Sequence, residues 1–167
     1  MTNLAAAEAP PKAAAESDVD RTLVLTRRFA ASREAVFRAW IDPAQFARWI
    51  GPGSLTTEVT TMDPRPGGAY RMVMHRPDGG THIGQGIYRE VLPPQRLAFT
   101  WAWQDATGKR GHETLVTIIL RAVGDATELT LCQEIFESKD ACERHEHGWT
   151  GSFDKLEEVL AGKKGRR

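Results

Sequence analysis

The chain has 167 residues, 41% of them hydrophobic and 26% charged, the make-up of an ordinary globular protein of one domain. Its 22 basic residues balance 22 acidic ones, so no net field argues for nucleic acid or for an anionic membrane surface. No apolar run is long enough to span a bilayer, and the alanine-rich start lacks the basic and hydrophobic regions of a signal peptide.

In chain order, residues 1–20 are rich in Ala, Pro and Glu with almost no large apolar side chain. Such a stretch cannot offset its ordering entropy, and a disordered tail is expected. Residues 22–29 read as a strand. Ser32 then caps a helix running to Ile41, with Val36, Phe37, Trp40 and Ile41 on its apolar face. Asp42 and Pro43 start a second short helix that reaches Trp49 and ends at Gly51-Pro52-Gly53.

The period then changes to two. Strands are predicted over 55–62, 69–76, 81–92, 97–103, 112–123 and 126–136, with turns at Pro64 to Gly68, Pro77 to Gly80, Pro93-Pro94 and Gly124-Asp125. Gly84 and Gly86 inside one strand suit a sharp bend. A long helix over 138–161 follows, capped by Ser138, with Cys142, Trp149, Phe153, Leu156 and Leu160 on one stripe. Gly148 and Gly151 interrupt it at a cost of roughly 1 kcal/mol each against alanine. They imply either that the sheet backbone passes very close or that space beside the helix is left open. One strand, two short helices, six antiparallel strands and one long helix make an α+β layer arrangement, with the helix across the concave face of a curled sheet. The folded domain spans 21–161, and 162–167 is a basic tail.

The strings FAASREAVFRAWIDPAQFARWIGP, MDPRPGGAYR, GQGIYREVLPPQRLAFTWAW, ATELTLCQEIF and HGWTGSFDKLEEVL occur in that order from residue 29 to residue 160. Together they resemble the homologues of the activator of a heat-shock chaperone ATPase, within the START-like (SRPBCC) superfamily of helix-grip folds. The resemblance implies a curved antiparallel sheet of six or seven strands and a deep hydrophobic cavity between it and the C-terminal helix. Across the superfamily that cavity serves lipids and other apolar molecules. Eukaryotic activators also carry a separate N-terminal domain for the chaperone contact, and residues 1–20 do not make one.

Phe99, Trp101 and Trp103 share one face of their strand, and Tyr70, Met72 and Met74 one face of theirs. With Trp49, Gln85, Trp149 and Phe153 they are the expected ligand-binding set, although the same stripes also read as plain core. The five histidines and the two cysteines, Cys132 and Cys142, show no metal-ligand spacing, so no metal is expected. The cysteines read as free thiols of the cytoplasm. His145, four residues before Trp149, is either a polar group at a cavity mouth or an ordinary half-exposed histidine. No nucleophile motif or phosphate loop is present, and no cofactor or catalytic residue is assigned.

Three functions are therefore weighed. The leading one is binding of a small hydrophobic or aromatic ligand, in stress or metabolite handling. The second is a metal-independent cyclase or hydratase, for which Gln85, Tyr88 and His112 are the polar candidates. The third is a chaperone ATPase cofactor. The expected partners are thus a small apolar molecule and, on the resemblance, a chaperone, with neither nucleic acid nor membrane insertion.

Overall fold

A single carboxylate makes the first corner of the fold. In the computed structural model, which describes residues 17–162, α1 (Arg33–Ile41) starts where the Ser32 hydroxyl accepts from the Ala35 amide. It ends where the Asp42 N–H donates to the Arg38 carbonyl. The Asp42 side chain then accepts from the Ala44 and Gln45 amides and so begins α2 (Pro43–Trp49). One residue closes one helix and opens the next, which fixes the angle between them.

The strands are β1 (Leu23–Phe29), β2 (Thr56–Met62), β3 (Ala69–His75), β4 (Thr81–Leu92), β5 (Arg96–Gln104), β6 (Arg110–Val123) and β7 (Ala126–Glu134); the long helix is α3 (Lys139–Leu160). All seven strands pair antiparallel in one curved sheet, in the order β1-β7-β6-β5-β4-β3-β2. The helix starts at Ser138, whose hydroxyl accepts from the Ala141 amide. The expected tails fall mostly outside the described residues, at 1–16 and 163–167; Ser17 and Asp20 are joined by a side-chain hydrogen bond that leads into β1.

Register shifts interrupt the ladders between Val59 and Thr61, between Tyr88 and Glu90, and between Ala102 and Gln104. The sharpest backbone demand is at Gly86, where an added Cβ would lie 1.9 Å from the Thr100 carbonyl oxygen. That carbonyl accepts from the Tyr70 hydroxyl instead, while the Ile87 N–H donates to the Thr100 hydroxyl at 2.9 Å. The side chain of Thr100 thus takes over a ladder acceptor, and only glycine fits opposite.

On β5 the large Leu97, Phe99 and Trp101 alternate with Ala98, Thr100 and Ala102, and all six are buried. The large set faces the helices. Its centre is Trp40, from α1, which meets Trp49, Phe99, Trp149 and Phe153 at ring-centroid distances of 4.6 to 6.3 Å. Phe153 and Leu156, in the C-terminal half of α3, are therefore packed into filled core. Burial of Trp40, Trp49, Phe153 and Leu156 stabilises this end of the layer by roughly 1.5–3 kcal/mol per side chain.

Candidate functional site

The N-terminal half of α3 behaves differently from its C-terminal half. A cavity of about 560 Å³ lies between this half, the β3–β5 end of the sheet and the loop after α2. Met74, Trp101 and Trp103 form its sheet side; His145, Gly148, Trp149 and Ser152 form its helix side. Ile50 to Pro52 and Leu55 close it laterally, and His82, Glu137 and Arg144 stand at the exposed rim.

The two helix glycines have separate reasons. A Cβ on Gly148 would meet nothing within 4 Å, because the residue opens on the cavity. A Cβ on Gly151 would lie 2.7 Å from the Cβ of Pro52 and 3.3 Å from its Cα. So the expected open space is found at Gly148, whereas the expected close approach of the sheet backbone is not found at Gly151, whose close neighbour is Pro52 in the loop after α2.

That loop is a built wall. The Gly51 N–H donates to the Ser152 hydroxyl at 3.0 Å. Lys155 donates to the Gly51 and Leu55 carbonyls at 2.6 and 3.0 Å, and burial holds its ammonium below the ordinary lysine value. Three successive contact points on α3, Gly151, Ser152 and Lys155, thereby set the position of the wall.

Behind the cavity a chain of buried hydrogen bonds orients the indole of Trp149. Its Nε1–H donates to the Gln133 side-chain oxygen at 2.7 Å. The Gln133 amide donates to the Thr114 hydroxyl at 2.8 Å, and that hydroxyl donates to the Trp101 carbonyl at 3.1 Å. With every member paired, the chain fixes rotamers that hydrophobic contact alone would leave free.

At the mouth, the Trp103 Nε1–H donates to His145 Nε2 at 2.9 Å. The other ring nitrogen, Nδ1, lies 2.7 Å from the Ala141 carbonyl. Accepting at Nε2 and donating from Nδ1 is the pattern of a neutral imidazole. Burial likewise pushes the His145 pKa below its ordinary value, against the pull of the Ala141 carbonyl. Neither nitrogen is left to act as a base.

Of the residues expected to bind a ligand, Met74, Trp101, Trp103 and Trp149 line the cavity together. Trp49, Tyr70, Met72, Phe99 and Phe153 do not: all are buried in the core around Trp40 and Tyr88. Gln85 is placed on the opposite side of β4 from Gly84, Gly86 and Tyr88, because neighbours along a strand alternate faces. Tyr88 is buried against Tyr70 and Phe99, and His112 is exposed, bonded to the Ile135 carbonyl. The expected polar candidates thus do not share the cavity.

Gln133, Ser152 and Lys155 were not singled out from sequence, yet they carry the site's polar structure. Gln133 sits in phase with Leu129 and Leu131 on β7, and Ser152 three residues after Trp149 on α3. Polar residues in phase with core positions were the available signal. Among the described residues no group of three or more His, Cys, Asp or Glu comes together as a metal site. None of the described helices is long and apolar enough to cross a membrane.

The family model described as "Activator of Hsp90 ATPase homolog 1-like protein" matches residues 30–161. No curated protein matches the chain. Among solved structures, an AHSA1 protein from Silicibacter pomeroyi is 35% identical, with a TM-score of 0.76 over 84% of this chain and 97% of that one. A protein from Chromobacterium violaceum is 30% identical, with a TM-score of 0.78 over 84% and 96%. A solution structure from Arthrobacter aurescens, 23% identical, shares the fold with a TM-score of 0.81 over 90% and 92%.

Proposed function

The chain belongs to the Activator of Hsp90 ATPase homolog 1-like family of START-like domains, and on that premise we propose that it binds a small hydrophobic or aromatic ligand between its sheet and C-terminal helix. The observation that carries this reading is the cavity of about 560 Å³, walled by Met74, Trp101, Trp103 and Trp149 opposite a side-chain-free Gly148. Its volume falls in the range of small-molecule sites, roughly 300–1,000 Å³, and its lining is apolar with few polar groups. Helix propensity favours a side chain at position 148 by about 1 kcal/mol, so the glycine there is a cost borne for open space.

The chemistry of the lining supports binding over catalysis. His145 is the histidine built into the wall, and both of its nitrogens are engaged within the protein. The free thiols of Cys132 and Cys142 fit a reducing compartment such as the cytoplasm. Titration with a panel of lipids and polycyclic aromatics, followed by tryptophan emission and amide shifts, tests the reading. Saturable shifts at Trp101, Trp103 and Trp149 are expected; a panel that leaves all three unmoved overturns it.

A further inference from the structure

The hydrogen bond from Trp149 to Gln133 and the one from Trp103 to His145 both join α3 to the sheet beside the cavity, but their surroundings differ. At the back, the Trp149 Nε1–H meets Gln133 among buried groups. At the front, the Trp103 Nε1–H meets His145 Nε2 at 2.9 Å, between two half-buried side chains on opposite walls of the opening. The first bond pairs an indole with an amide, and no titration near neutral pH alters either. The second pairs an indole, which only donates, with an imidazole nitrogen that accepts only while it carries no proton.

A proton taken from water by Nε2 leaves two N–H donors facing each other, and the contact cannot persist. Of the two partners His145 is the more firmly held. Its Nδ1–H donates to the Ala141 carbonyl at 2.7 Å in either protonation state, and Phe136 packs on its ring at 4.9 Å. Trp103 sits one residue from the end of β5, against Trp101 and the exposed His82, and is the side chain that turns aside.

The charges facing His145 are few. Arg144 on the same helix opposes a proton there, and Glu137 in the loop before α3 favours one; both are exposed, and Arg144 is also paired with Asp140 at 3.2 Å. From β5 come the neutral indoles of Trp101 and Trp103, and from the loop after α2 come Ile50 to Pro52 and Leu55. From β4 comes His82, whose ring lies 6.3 Å from that of Trp103. Burial is the largest influence and sets the imidazole to take its proton below the ordinary pH of about 6.5.

We propose that the Trp103–His145 hydrogen bond is a latch across the cavity mouth, closed while the imidazole is neutral and opened when Nε2 takes a proton. This rests on the ligand-binding reading above and adds its regulation: the site retains its occupant at neutral pH and releases it in mildly acidic surroundings.

Two measurements on the whole chain test the latch. The first needs no ligand: the Trp103 indole proton is followed by NMR from pH 7.5 to 5 together with the ring protons of His145. The indole proton should move upfield with the midpoint of the His145 titration, below about pH 6.5. An indole proton that stays still while His145 titrates overturns the latch, and so does a His145 that takes no proton while the chain stays folded. The second follows escape of N-phenyl-1-naphthylamine, a probe neutral throughout this range, by stopped-flow dilution at pH values where circular dichroism shows the fold intact. Release should quicken about tenfold across the same titration, as expected for the loss of one hydrogen bond. In Trp103→Phe, which keeps a ring but no donor, release should already be fast at pH 7.5 and vary less than about twofold with pH. If that variant does not fold, the wild-type resonances decide. A pH response that survives in Trp103→Phe, or that His82→Gln abolishes, overturns the assignment. Release that ignores pH overturns the latch and leaves the carrier reading standing. A probe that binds at no pH overturns the carrier reading and its regulation together.

Discussion

Replacing Gly148 by alanine should stabilise the protein and replacing Gly151 should not, although the two residues are three positions apart on one helix. Each change adds helix propensity worth about 1 kcal/mol. At Gly148 the new methyl meets nothing within 4 Å, so the full gain is expressed, and a rise of about 3 °C in Tm follows for a domain of this size. At Gly151 the methyl arrives 2.7 Å from the Pro52 Cβ, and a proline ring cannot rotate away. The loop must shift, straining the Ser152 and Lys155 bonds to Gly51. Overpacking of this kind costs about 1–3 kcal/mol, so Gly151→Ala is expected to be neutral to ~2 kcal/mol destabilising, and ~1–3 kcal/mol below Gly148→Ala. Urea unfolding followed by circular dichroism, with equal m-values required, measures the difference. If Gly151→Ala proves as stable as Gly148→Ala, the described docking of the loop on the helix is wrong.

Gln133→Met should destabilise by about 1–3 kcal/mol, because the Trp149 N–H would lose its acceptor in a buried site; an unchanged urea midpoint would count against the hydrogen-bond chain. Gly86→Ala should cost about 3 kcal/mol through its collision with the Thr100 carbonyl, whereas Gly84→Ala, which meets Met72 Cε and the Trp101 ring at the ordinary contact distance of 3.4 Å, should cost far less. Thermal scans of the two variants side by side decide that comparison. His145 is held neutral, with a folded pKa below the usual value near 6.5, so the unfolded chain binds its proton first as pH falls. Its stabilising share is complete above about pH 6.5 and is lost as pH drops through the folded value, when Nε2 must take a proton facing the Trp103 N–H. Wild type should therefore lose more stability between pH 7.5 and 5.5 than His145→Phe; equal losses would contradict the assigned neutral state.

Much of the architecture was legible because its signals are local. Ser32, Asp42 and Ser138 are capping residues whose hydrogen bonds form within three positions, and the strand limits follow turn residues such as Pro77 to Gly80. The site was less legible because period alone sorts residues into two faces without saying how much of a face is filled. Phe99 and Trp101 share a face of β5, yet one is packed against Trp40 and the other borders the cavity. What divides them is the reach of Trp40 from a helix about sixty residues earlier in the chain, a tertiary fact that spacing does not encode. Gln85 shows a second limit. The inward face of β4 near it is made by Gly84 and Gly86, which have no side chains, so the inward set carried no hydrophobic signal.

The central claim is that the gap under Gly148 is a ligand site, and filling it from the helix is the most direct test. Gly148→Leu should keep or raise the Tm, because the backbone there is helical and the added side chain enters open space. Binding of the neutral probe N-phenyl-1-naphthylamine, measured by its emission, should be saturable in the wild type and at least tenfold weaker in the variant. Undiminished probe binding to a folded Gly148→Leu protein would contradict the account.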